Sequence, residues 1–181
     1  MKILRHLPAA VFFLLLALAP AQAVSVKEDH DPAINFSKYK TFALKPGMPA
    51  PDDATQEMIE RAVATQLVAR GLVQTSQQPD LLVFPHVKVG LAKALDVSSF
   101  GYGASGWGGF EGESDATRVN VVDVPMGTLM LDMVDAASGK MVWRGFASGT
   151  LNPKSTAEEQ DERIGKAVQK LLKTFPPAPK K

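Results

Sequence analysis

Few side chains in this sequence could do chemistry. Beyond the first 23 residues the histidines are His30 and His86, 56 positions apart. A paired-histidine zinc motif on one helix is therefore impossible. Glu28-Asp29-His30-Asp31 has the composition of a cation site, but no calcium-loop spacing follows it. Gly101-Tyr102-Gly103-Ala104-Ser105-Gly106 matches G-x-G-x-x-G. That motif holds a pyrophosphate only where a strand enters it and a helix leaves it. Here Trp107-Gly108-Gly109-Phe110 follows, which is no helix start. Ser105 also fails the spacing of a nucleophile elbow. The chain has no cysteine, which excludes thiol nucleophiles, disulfides and thiolate metal sites. The enzymatic alternative is a periplasmic hydrolase whose Ser, His and Asp meet only in space, around His30 or His86. No local signature positions one, so no catalytic residue, metal or cofactor is expected.

The segment 98–114 is of another kind. It carries six glycines and four aromatics, Phe100, Tyr102, Trp107 and Phe110. Such a stretch buries too little contiguous apolar surface to repay its backbone entropy unless it docks on something. Aromatic rings spaced by glycine give adaptable contact area. These four residues are the candidate contacts to a partner. The plainer reading of the segment is a connection between two elements.

The elements that must carry these residues follow from periodicity. Asp53 with Gln56 suggests a capping box, and Ile59, Ala62, Val63 and Leu67 recur at helical spacing up to a glycine stop at Gly71. This predicts an amphipathic helix over about 54–70. A second is predicted where Ser155/Glu158 or Thr156/Glu159 cap a run of Ile164, Ala167, Val168, Leu171, Leu172 and Phe175. Its acids come first and its lysines last, as the helix dipole favours. Strands are predicted at 39–44, 81–89 (with Pro85 at an edge or bulge), 118–124, 128–134 and 140–146. The last two form a hairpin that sets either Asp132 beside Arg144 or Asp135 beside Lys140. The expected fold is α+β. It is a two-layer sandwich of a mainly antiparallel sheet, four to five strands, with two helices in the order β-α-β-β-β-α.

The chain has 181 residues, 45% of them hydrophobic, with 20 basic against 19 acidic side chains. One domain fits that length. Residues 1–23 read as a cleaved signal peptide. Lys2 and Arg5 precede an apolar run from Ala9 to Ala19, and Ala21-Gln22-Ala23 supplies the cleavage site. Eleven apolar residues are too few for a spanning anchor. Without the leader, 18 basic side chains face 19 acidic ones. No basic stripe is present, so nucleic-acid binding is not expected. The domain is expected over 24–175, with a flexible tail at 176–181.

Several of these segments together resemble domain-of-unknown-function family 4136, found in bacterial envelope proteins. They are Asp31-Pro32, Phe36 to Phe42, Ala69-Arg70-Gly71-Leu72, Pro79 to Val83, Gly127 to Asp135 and Gly139 to Gly145. The resemblance implies a periplasmic or outer-membrane-associated domain with no established activity. It supplies no catalytic residues. Many members look like lipoproteins, but a chain without cysteine cannot take that anchor. The expected protein is thus a non-enzymatic periplasmic module. Its partner would be an envelope protein or small ligand, and peripheral outer-membrane association is open to it.

Overall fold

The computed structural model describes residues 24–98 and 118–178. The expected leader, the candidate contacts Phe100, Tyr102, Trp107 and Phe110, and the last three residues of the tail lie outside them. The described elements are β1 (Ser25–His30), a 3-10 turn (Phe36–Lys38), β2 (Thr41–Leu44), α1 (Asp53–Val68), β3 (Val73–Gln74), β4 (Leu81–Ser98), β5 (Arg118–Asp135), β6 (Met141–Thr150) and α2 (Ala157–Leu171). One sheet takes the order β1-β6-β5-β4-β2-β3. Pairing is antiparallel from β1 to β4, while β2 runs parallel to both β4 and β3. The class is α+β as expected. The sheet has six strands rather than four or five, and two strands precede the first helix.

Strand alternation builds the core. Leu81 and Val83 on β4, Leu129, Leu131 and Met133 on β5, and Trp143 and Ala147 on β6 all turn to the helices and are buried. Ile59, Val63 and Leu67 of α1 and Val168, Leu171 and Leu172 of α2 close the layer from above. The helices lie side by side and parallel: Gln160 reaches Thr55, Arg61 pairs with Asp161, and Arg70 reaches the carbonyls of Leu172 and Phe175. Thr156 and Glu159 form a reciprocal capping box on α2. The cap of α1 is Asp52, one residue before the expected Asp53, because its carboxylate takes the Thr55 N–H at 2.8 Å. Gln56 reaches back instead to the N–H of Ala50.

Two expected strands, 118–124 and 128–134, are one. Pro125 does not break β5, since its carbonyl points to the β6 side, accepting from Leu151 N just past the end of β6. Its missing donor therefore costs no bond to β4. Pro85 behaves alike on the other flank. Val83 and Val87 on either side of it bond outward to a strap, residues 45–48, that continues β2 along the β4 edge. A side chain on Gly47 would place Cβ 2.0 Å from the Pro85 carbonyl oxygen, so the strap passes only as glycine.

β4 and β5 pair over 18 residues each, from Leu81↔Asp135 to Ser98↔Arg118. β2 leaves β4 at Val83, and β6 leaves β5 at Met126. From Leu91↔Pro125 outward the two strands have only each other as strand partners among the described residues. This two-stranded arm extends about 25 Å at roughly 3.3 Å per residue. The segment 98–114 begins at its outer end.

Candidate functional site

Two places gather polar chemistry, and a third leads to the aromatic segment. The first lies on the sheet face opposite the helices. Asp132, the residue of β5 between the core positions Leu131 and Met133, points away from the core yet is buried. Arg144, its cross-strand neighbour on β6, grips it with Nε and Nη2 at 2.5 and 2.6 Å. This is the first of the two registers expected from the hairpin. The pairing raises the Arg144 pKa further above its ordinary value. On the other side, His86 of β4 brings Nε2 to 3.5 Å from Asp132 Oδ2. Its Nδ1 accepts the N–H of Met48 from the strap at 3.0 Å.

That geometry bears on the hydrolase alternative. Nδ1 of His86 is taken by a backbone donor and Nε2 faces the Asp132 carboxylate, so neither ring nitrogen is presented to a serine in this arrangement. His30 stands edge-on to Phe36 at 6.0 Å between ring centroids. Neither histidine is bonded to a serine hydroxyl, and no three metal-ligating side chains converge among the described residues.

The second place is the end of the domain away from the arm, and it collects the family-like segments. Asp135 closes the β5–β6 turn by accepting from Ser138 N at 2.9 Å and Oγ at 3.0 Å, and from Ala137 N at 3.1 Å. The same carboxylate takes Lys38 Nζ at 2.8 Å and Tyr39 Oη at 2.9 Å. The expected alternative partner, Lys140, contributes only its backbone carbonyl, to Asp135 N. The Lys38 ammonium and the turn donors hold the Asp135 carboxyl far below the usual carboxylate range. Burial, then the bond to Asp135, pushes the Tyr39 phenol up.

Asp80 repeats the device. Its carboxylate accepts from Lys40 N and Thr41 N at 2.8 and 2.9 Å, which lowers its pKa. Thr41 Oγ1 accepts from Asp80 N in return. Arg70 satisfies orphan carbonyls at the end of α2, and Gly71 takes a φ of +87° that stops α1, as expected. Phe36, Tyr39, Phe175 and Trp143 pack edge to face around this end. A cleft of about 110 Å³ remains between Tyr39, Arg70, Leu72 and Phe175. Lys38, Tyr39, Arg70, Asp80 and Asp135, from segments that carry the resemblance, thus staple this end together.

The third place is the arm. The register joins Ser98 to Arg118. The expected contacts Phe100, Tyr102, Trp107 and Phe110 therefore belong to the segment that connects the outer ends of β4 and β5. The side chains that sequence reasoning missed are His86 with Asp132 and Arg144 together. A charged residue inside the apolar run Leu129–Val134 was the signal available, but the strap that completes the group leaves no local pattern.

No helix among the described residues is long and apolar enough to cross a membrane. No curated protein matches the chain. Among solved structures, a PDZ domain protein from Parabacteroides distasonis aligns with a TM-score of 0.54 at 14% identity, over 87% of this chain. This chain spans only 36% of that protein. The PelC dodecamer from Paraburkholderia phytofirmans aligns with a TM-score of 0.51 at 14% identity, over 83% of this chain and 95% of that one. These likenesses are of fold. The family model described as a domain of unknown function, DUF4136, matches residues 26–177, which is nearly everything the structure describes, and the chain belongs to that family.

Proposed function

We propose that this is an exported envelope domain that acts by binding, not catalysis, and engages its partner through Phe100, Tyr102, Trp107 and Phe110. The supporting observation is the arm. A two-stranded ribbon is marginally stable alone in water, yet this one leaves the sheet for eight residue pairs and leads into the segment that holds the four rings. The partner is an envelope protein or a small ligand. In this reading residues 1–23 direct export and are removed, and the absence of cysteine leaves a periplasmic protein without a lipid anchor. The PelC protein of similar fold is a dodecamer, so an assembly of copies is one setting in which such arms would act.

The test compares three exported proteins by crosslinking in the periplasm. These are the natural chain, one with 98–114 replaced by a short Gly-Ser link, and one with the four aromatics changed to serine. All three are expected to unfold at similar temperatures, because loop length enters closure entropy only logarithmically. Both altered proteins are expected to lose the crosslinked partner. A partner retained by the serine protein would overturn the role of the rings. A Gly-Ser protein that does not fold would show that the segment belongs to the core.

A further inference from the structure

We propose that His86 is a proton-operated latch for the strap at residues 45–48. The strap lies along the β4 edge on three hydrogen bonds: Lys45 N to the Val83 carbonyl at 2.9 Å, Met48 N to His86 Nδ1 at 3.0 Å, and Val87 N to the Met48 carbonyl at 2.9 Å. Its side chains add little hold, since Lys45 and Pro46 are exposed and Met48 is 56% exposed. The middle bond depends on the charge of the imidazole. To accept the Met48 N–H, Nδ1 must present a lone pair, so the ring is neutral with its proton on Nε2. A proton added at Nδ1 would set N–H against N–H. Turning the ring over would bring a C–H to the same spot. Either way Met48 N loses its acceptor and the strap loses its middle bond.

The ring itself has reason to stay. Asp132 Oδ2, 3.5 Å from Nε2, faces a donor in both charge states. The charged groups around His86 are Asp132 from β5 and, gripping it, Arg144 from β6. On β4 itself Lys88 follows two positions on along the same face, and Lys45 is the cation of the strap. Histidine is the side chain whose charge ordinarily changes between pH 5 and 8. Protonation at Nδ1 would therefore loosen the strap at its middle while the sheet beneath stays intact. The part of β4 then uncovered, Val83 to Val87, adjoins the stretch from Val89 outward that already lacks a strand partner on that side among the described residues. One continuous strand edge would result, the form that accepts an added strand. The latch is independent of the reading of the arm's aromatic segment.

Residue-resolved hydrogen exchange on the whole exported chain tests this, at pH 7.5 and at pH 5.0, after correction for the intrinsic pH dependence of exchange. Protection of the Met48 and Val87 amides is expected to fall on the order of tenfold, the size of one lost hydrogen bond. Leu131 and Met133, at the sheet centre, should keep theirs. His86→Asn offers an amide oxygen near the Nδ1 position and does not titrate, so its Met48 and Val87 protection should be the same at both pH values. Unchanged protection in the natural chain, or an equal loss in His86→Asn, overturns the latch. If His86→Asn fails to fold, nitrogen NMR of the natural chain decides. Protonation of His86 Nδ1 and loss of Met48 protection must then share one midpoint, and protonation without that loss refutes the proposal.

Discussion

Asp135 shows how one carboxylate can join segments far apart in the chain. It receives Lys38 and Tyr39 from the 3-10 turn while holding its own hairpin turn closed. Its folded pKa lies below the unfolded value of about 3.9. The stability it contributes is therefore fully present above pH 5 and is lost as acid carries the pH below the unfolded value and towards the folded one. Asp135→Asn is expected to cost about 2 kcal/mol at pH 7 from weakened and mismatched hydrogen bonds. Its deficit should narrow between pH 5 and pH 2, as read by urea unfolding across that range. Sequence reasoning could see Asp135 at a turn and a lysine nearby at Lys140. It could not see Lys38, because that pairing depends on the sheet and the 3-10 turn having both formed. Asp132 with Arg144 was legible as one of two registers, because a short hairpin limits the pairings open to it.

At the scale of elements, β6 carries a tight fit in the core at Gly145. The Trp143 indole lies across Gly145, where an added Cβ would stand 2.3 Å from the ring and 2.7 Å from Leu171 Cδ1. Trp143, Leu171 and Phe175 all sit in the core around it. Gly145→Ala is expected to cost about 2–3 kcal/mol by overpacking, seen as a lower denaturant midpoint with an unchanged slope. Both helices were legible because burial leaves a clean one-sided period, at Ile59, Val63 and Leu67 and again at Val168 and Leu171. The strands were less so. Pro125 and Gly127 read as a boundary, yet β5 runs through them, because a proline facing the outer edge removes no bond from the ladder to β4. β3 has only two residues, and its pairing with β2 supplies what its sequence does not signal.

At the scale of the molecule, the domain divides into a packed body and an arm. Replacing residues 91–125 with a tight hairpin turn is expected to leave a cooperatively unfolding protein with a thermal midpoint within about 5 °C of the natural chain. Among the described residues, the buried core contains none from that range. A larger drop in a scanning calorimeter would assign the arm a structural role. The sheet order has a further consequence, in time. Among the described residues β1 pairs only with β6, so Ser25 must wait for Ser148. A chain emerging amino end first presents its opening strand long before the partner exists. Local hairpins and helices can form meanwhile, but the sheet closes last, through contacts between distant parts of the chain, the class that folds in milliseconds to seconds. Until then Ser25–His30 remains an unpaired thread, and a chain held short of Thr150 is still slack enough to be moved.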